Sequence, residues 1–172
     1  IITVSMADLL HKSANELEQS GAFNKRRIND ILTTLHSPIY IYIVITHLDV
    51  VSGFSECCAI AGDKVDKQVI GANNVNKNTQ QFISASLQSS SFSMQELLFT
   101  ALGKLNVTSK LLRLPEEMKD LESALQSFIR GLLSGSYYKY TPRLQGLYLT
   151  GIKDTDSGPK GLFAHELMRY RI

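Results

Sequence analysis

The run Pro38-Ile39-Tyr40-Ile41-Tyr42-Ile43-Val44-Ile45-Thr46-His47-Leu48-Asp49 constrains the fold of this chain more than any other stretch. Ile, Tyr and Val favour strands because branched and aromatic side chains pack well on a pleated surface. Both alternating faces of the run are apolar, which predicts a strand buried on both sides. Such strands occupy the centre of parallel sheets in α/β proteins. The run stops abruptly in Thr-x-x-Asp, so Asp49 stands just past the carboxyl end of the strand. Open α/β sheets hold their ligands there.

A chain of 172 residues is the size of one domain and buries roughly 70% of its unfolded surface. Its apolar content of 44% and charged content of 20% are ordinary for a globular protein. A net charge of +2 is too small to argue for nucleic acid or an anionic membrane surface as partner. The two cysteines, Cys57 and Cys58, are adjacent. That is neither a disulfide framework nor a Cys-x-x-Cys metal or redox motif, and it fits reduced thiols on one helix. No apolar run reaches the length of about 18 residues that a membrane-spanning helix needs, and no signal peptide is visible. The chain opens inside an apolar run, Ile1-Ile2-Thr3-Val4, without an initiator Met, and stops inside a helical pattern. The expectation is a fragment of a longer polypeptide.

Ile1 to Val4 predicts the end of a strand. Ser5-Met6-Ala7-Asp8 has the pattern of a capping box, in which the hydroxyl and the acid satisfy N–H groups at a helix start. Met6, Leu9, Leu10, Ala14 and Leu17 follow at helical spacing, Gly21 breaks the pattern, and a second helix carries Ile28, Ile31, Leu32 and Leu35 on one face. The Ile/Tyr strand then completes a β-α-β crossover. Val50 to Ala61 reads as a helix, Asp63 to Asn78 as a polar segment with a Gly71-Ala72-Asn73-Asn74 turn, and Gln80 to Leu87 as a short helix. Ser89 to Ser91 reads as a linker before a second capping box, Ser93-Met94-Gln95-Glu96. Pro115 fits the first position of a further helix, whose apolar face is Met118, Leu121, Leu125, Phe128, Ile129, Leu132 and Leu133 and which ends at Gly135. Gly146 to Gly151 reads as a last strand and turn, 154–159 as a loop, and 162–168 as a helix start. Roughly a hundred residues separate the two strong strands, far more than a minimal α/β connection needs. The excess predicts a helical insertion before the last strand, over 75–140 of one domain spanning 1–172.

The order and residues of these segments resemble the cytoplasmic domain of the IcmF family of type VI and type IVB (Dot/Icm) secretion systems. The resemblance lies in Val4-Ser5-Met6-Ala7-Asp8-Leu9-Leu10, Pro38-Ile39-Tyr40, Thr46-His47-Leu48-Asp49, Gly53-Phe54, Gln68 and Gly71, and Leu144-Gln145-Gly146-Leu147-Tyr148-Leu149-Thr150-Gly151. It departs from the family pattern where His47 replaces a Lys, where Gln145 replaces an Arg, and where one residue of the last turn is missing. These departures lean towards a divergent type IVB member. The resemblance implies an α/β fold: a partial P-loop GTPase-like parallel sheet flanked by helices. It implies a vestigial nucleotide-base site at Thr46, His47, Asp49, Thr150 and Gly151. It also implies an inner-membrane parent anchored outside this fragment, with this domain on the cytoplasmic face, and a DotU/TssL-type inner-membrane partner among other secretion-complex components.

A carboxylate at position 49 is acceptor-only and can take two N–H donors from a guanine edge. In GTPases a Lys next to it braces the phosphate loop, whereas His47 is shorter and at most partly charged near neutral pH. A structural role for Asp49, capping a helix that starts near Val50, weighs slightly more. Thr150-Gly151 sits where GTPases place a second base-contacting loop, yet Thr and Gly suit any strand-to-helix turn. The phosphate-binding pattern G-x-x-x-x-G-K-[ST] does not occur, and Gly103-Lys104 runs into Leu105. In the family such a loop lies upstream. No cofactor is therefore expected in this fragment, although the parent could take GTP or ATP with magnesium. His11, His36, His47 and His165 show no ligand spacing, the 154–157 loop lacks the Glu that completes a calcium loop, and no Gly-x-Ser-x-Gly elbow occurs. Two function classes follow: a non-enzymatic interaction module of a secretion apparatus, or part of a nucleotide switch whose phosphate loop lies elsewhere.

Overall fold

The computed structural model describes residues 1–61, 70–75, 79–102, 109–134 and 142–151. The elements run β1 (Ile2–Ser5), α1 (Met6–His11), α2 (Ala14–Leu35), β2 (Tyr40–Thr46), a 3-10 turn (Leu48–Val50), α3 (Phe54–Ala61), β3 (Ile70–Asn73), α4 (Thr79–Leu102), α5 (Ser109–Leu133) and β4 (Arg143–Leu149). The expectations at Gly103-Lys104, at Gly135, over 154–159 and over 162–168 lie outside the described residues, as does Gln68.

The strands form one open sheet in the order β1-β2-β4-β3. β1, β2 and β4 run parallel, with Ile2 opposite Ile43 and Ile43 opposite Leu147. The Ile/Tyr run is thus central, between two parallel neighbours. The sheet is mixed rather than wholly parallel, because β3 joins the far edge antiparallel to β4. The residues of β3 carry the turn signal Gly71-Ala72-Asn73, and pairing with β4 overrides it. Gly71 has a packing reason instead. A Cβ there would lie 2.5 Å from Tyr148 Cδ1 and 2.8 Å from Tyr148 Cα, so only glycine lets the edge strand lie against that residue.

The core grows from β2. Ile41, Ile43 and Ile45 are all buried, and Ile43 and Ile45 have no exposure. Burial of each contributes about 1.5–3 kcal/mol. On the other face only Val44 is buried; Tyr42 is half-buried and Tyr40 is 59% exposed. Two-sided burial, expected from the sequence, therefore holds for the carboxyl half of the strand alone among the described residues.

Helix boundaries differ from the expectation in instructive ways. Ser5 stands at the N-cap of α1 but makes no side-chain cap bond. The capping box belongs to Ser13 and Glu16, whose side chain and backbone bond reciprocally at the start of α2. Gly21 does not end a helix. It lies inside the 22-residue α2, where a Cβ would lie 2.8 Å from the backbone N of Leu132 on α5. Ile28 and Leu32 are buried as expected, whereas Ile31 and Leu35 are exposed. Ser89–Ser91 and Ser93–Glu96 continue α4 without a break, because Ser86, Ser90 and Ser91 are buried within the helix. Ser90 also returns its hydroxyl to the Ser86 carbonyl at 2.8 Å. Pro115 falls within α5, not at its first position.

On α5 the apolar stripe is in place. Leu121, Leu125, Phe128, Ile129 and Leu132 are buried, with Leu125 at 0% and Phe128 at 1% exposure. Leu133 is partly buried against the same core. This stripe packs on α2 as well as on α4. Lys25 on α2 donates to the Ser134 carbonyl just past α5, where a cation suits the negative end of the helix.

Candidate functional site

Three parallel strands end at the same edge of the sheet. Ser5 of β1 pairs with Thr46 of β2, and the Thr46 hydroxyl donates to the Val4 carbonyl at 3.4 Å. Beyond β2 the chain turns sharply. His47 adopts a left-handed conformation, φ 61° and ψ 45°, which is uncommon for a residue with a Cβ. Its Nδ1 lies 2.9 Å from the Thr46 hydroxyl. The 3-10 turn follows, closed by Val51 N–H donating to the Leu48 carbonyl at 2.9 Å. Asp49 is the second residue of that turn and is half-buried. The α-helix expected from Val50 begins at Phe54, so Asp49 does not stand at its start.

The two segments singled out from the sequence do meet. Thr150 N–H donates to the Ile45 carbonyl at 2.7 Å, and Leu48 N–H donates to the Thr150 carbonyl at 3.2 Å. Gly151 is buried, and a Cβ there would lie 2.6 Å from Phe54 Cε1 and 3.1 Å from Leu48 Cβ. Glycine is thus required at 151 by the packing of Leu48 and Phe54. The five residues Thr46, His47, Asp49, Thr150 and Gly151 share one sheet edge, with His47 exposed and Thr46, Asp49 and Thr150 half-buried. This arrangement places a carboxylate, two hydroxyls and an imidazole at one end of the sheet, with the Thr46 hydroxyl engaged by the Val4 carbonyl and His47 Nδ1. Among the described residues no group of His, Cys, Asp or Glu is placed to hold a metal ion.

Cys57 and Cys58 are both buried on α3. Burial pushes the Cys57 thiol above its ordinary range, which keeps it protonated and unreactive. No described helix is long and apolar enough to cross a membrane.

At the opposite end of the sheet lies a feature that the sequence signals missed. The pairing of β2 with β4 slips between Ile41 and Tyr42, so that Leu144 faces Ile41 and Gly146 faces Tyr42. Gln145 is the extra residue of this β-bulge. Asn74 covers it, its backbone N–H donating to the Gln145 carbonyl at 2.7 Å and its Nδ2 to the Leu144 carbonyl at 2.9 Å. An open groove of about 770 Å³ begins beside this bulge, with Tyr40, Tyr42 and Arg143 on its walls. The only trace in the sequence was the Asn73-Asn74 pair, read there as a turn.

Nearly the whole length of the chain carries one family signature. Residues 1–169 match the family of the IcmF-related N-terminal domain. The chain belongs to that family. It is an IcmF-type domain, and the family read from its motifs is thereby shown. No curated protein and no solved structure matches the chain.

Proposed function

We propose that this IcmF-type domain is a docking module rather than an enzyme, held on the cytoplasmic face of the bacterial inner membrane by parts of its parent outside this chain. Its partner would be a DotU/TssL-type inner-membrane protein, in keeping with the secretion-system role of IcmF proteins. The observation that carries this reading is a set of apolar side chains left in solvent on α4 and α5. Phe92 is 62% and Phe99 70% exposed on α4, and Leu112 is 56% exposed on α5. Phe92 and Phe99 are seven residues apart, two helical turns, and so fall on one face. Large aromatic side chains of this kind serve as anchors in protein interfaces. The test is binding of the cytoplasmic domain of a DotU/TssL-type protein, at concentrations up to high micromolar because such contacts are often transient. Replacing Phe92 and Phe99 together by Ser should abolish it while leaving the fold intact. Undiminished binding by that variant would take the interface away from α4.

A second reading rests on the meeting of Thr46, His47 and Asp49 with Thr150 and Gly151. In that reading the domain is part of a GTPase-like switch, with GTP or ATP and magnesium bound by the parent through a phosphate loop upstream. Calorimetric titration of a longer polypeptide with GTP and ATP separates the two readings. Binding that is lost on Asp49→Ala favours the switch.

A further inference from the structure

We propose that the groove beside the Gln145 bulge is a second binding site, and that its ligand is an acidic, extended peptide segment of a partner protein. Three features point there together. The first is an unpartnered acceptor. Asn74 is 6% exposed, and with its Nδ2 committed to the Leu144 carbonyl its Oδ1 is left without a hydrogen-bond partner. Buried carbonyl oxygens are almost always paired; this one is enclosed as well as unpaired, so the groove wall carries an unmet acceptor that a small shift of the Asn74 side chain would present to the main-chain N–H of an extended peptide. The second is charge. Arg143 is exposed on the groove wall, and among the described residues no carboxylate lines the groove with it. A guanidinium in that position selects a carboxylate, which it can bind through two parallel N–H donors. The third is an aromatic floor. Tyr40 is 59% exposed beside Tyr42, and Tyr42 is itself held by stacking on Tyr148 at 6.4 Å between ring centres. Tyr42 thus gives a fixed aromatic surface and Tyr40 an exposed one, and tyrosine supplies contact area at low entropic cost. The bulge explains why the groove is there. Gln145, as the extra residue, stands outside the β2–β4 ladder, and bulges commonly re-aim a strand in this way beside binding sites.

The site is lined by none of Phe92, Phe99 and Leu112 and stands at the other end of the sheet from Asp49. It is tested with the whole chain by following backbone amide NMR shifts on titration with the peptide acetyl-Asp-Phe-Glu-amide to about 5 mM. The peptide acetyl-Lys-Phe-Lys-amide serves as the charge-reversed control. The expected result is saturable shifts confined to the surroundings of Tyr40, Asn74, Arg143 and Gln145, with the acidic peptide only. Arg143→Glu should weaken binding about tenfold or more, while Arg143→Lys should retain part of it. Both positions 143 and 40 are exposed, so Tyr40→Ala serves as an independent variant that leaves the core untouched. Equal shifts with the lysine peptide, shifts located elsewhere, or none at all would each overturn the proposal. Binding unaffected by both Arg143→Glu and Tyr40→Ala would do the same.

Discussion

Gly21 of α2 and Gly131 of α5 are mutually indispensable at the point where the two helices cross. A Cβ on Gly21 would run into the Phe128 carbonyl and lie 2.8 Å from Leu132 N, while one on Gly131 would run into the Glu18 carbonyl and lie 3.0 Å from Glu18 Cα. In each case the obstacle is backbone, which cannot swing aside. Glycine in a helix interior ordinarily costs about 1 kcal/mol against alanine, so alanine at an open site would stabilise. Here Gly21→Ala and Gly131→Ala should each destabilise by about 1–3 kcal/mol. Urea denaturation monitored by circular dichroism reads the sign directly. A gain in stability from either would mean that the helices do not approach this closely.

The stripe of α5 that this crossing brings against α2 is part of the buried core. Phe128 and Leu125 are essentially without exposure. Phe128→Ala should cost about 3–5 kcal/mol and Leu125→Ala about 2–5 kcal/mol. Thermal melting checks both, and an unchanged midpoint in either variant would remove that residue from the core.

How far these elements could be read in advance depends on where their information resides. The central strand, the α5 stripe and the two ends that meet at Thr46 and Thr150 were visible because periodicity and burial agree there. Gly21 misled because a glycine that permits helix contact and a glycine that ends a helix look alike in one sequence. Ser89–Ser91 misled for a related reason: serines favour turns, yet in α4 Ser90 and Ser91 are buried, and such residues can bond back to their own helix, as Ser90 does. β3 was lost because a four-residue edge strand owes its form to pairing with β4, not to its own residues. The groove at Asn74 was invisible because it arises from a bulge, a matter of register between two distant segments.

Ser13 and Glu16 make the start of α2 sensitive to acid. The hydrogen bond from the Ser13 hydroxyl, then the one from its backbone N–H, hold the Glu16 carboxyl below the ordinary range. A group whose folded value is depressed stabilises the native state above its unfolded value, and that contribution is lost as pH falls through the folded one. Stability should therefore decline below about pH 4.5, the ordinary value for this group. Ser13→Ala should lower stability by about 1 kcal/mol near neutral pH and flatten the part of the acid decline that belongs to Glu16. Denaturant midpoints measured for both proteins from neutral to acidic pH supply the comparison; parallel curves would show that the box contributes nothing.

Burial of both thiols on α3 predicts a kinetic signature. With Cys57 and Cys58 enclosed, and the Cys57 thiol raised by desolvation, a thiolate-specific reagent such as a soluble aromatic disulfide should label the folded chain slowly. In denaturant the reaction should be complete at once, because the thiolate fraction and access both rise. Rapid labelling of the native chain would show that α3 opens readily.

If the edge that carries Thr46, His47, Asp49, Thr150 and Gly151 met a nucleotide base, as the second reading has it, it would offer little beyond the Asp49 carboxylate. A carboxylate accepting two N–H donors contributes about 1.5–3 kcal/mol per bond at most, and the cost of immobilising a free nucleotide removes several kcal/mol of that. What remains corresponds to a Kd of about 1 mM or weaker. The chain of 172 residues should accordingly bind GTP and ATP at or below the limit of calorimetric detection, with magnesium present, and should not hydrolyse either. The left-handed turn at His47 adds to this expectation, since a residue held there by the Thr46 hydroxyl is not extended along a ligand as the equivalent lysine would be. His47→Lys should raise affinity by no more than the modest worth of one solvent-exposed charge contact, about 0.2–1 kcal/mol. Submicromolar binding by the unaltered chain, abolished on Asp49→Ala, would show that this edge is a complete nucleotide site and would sink the reading of it as a remnant.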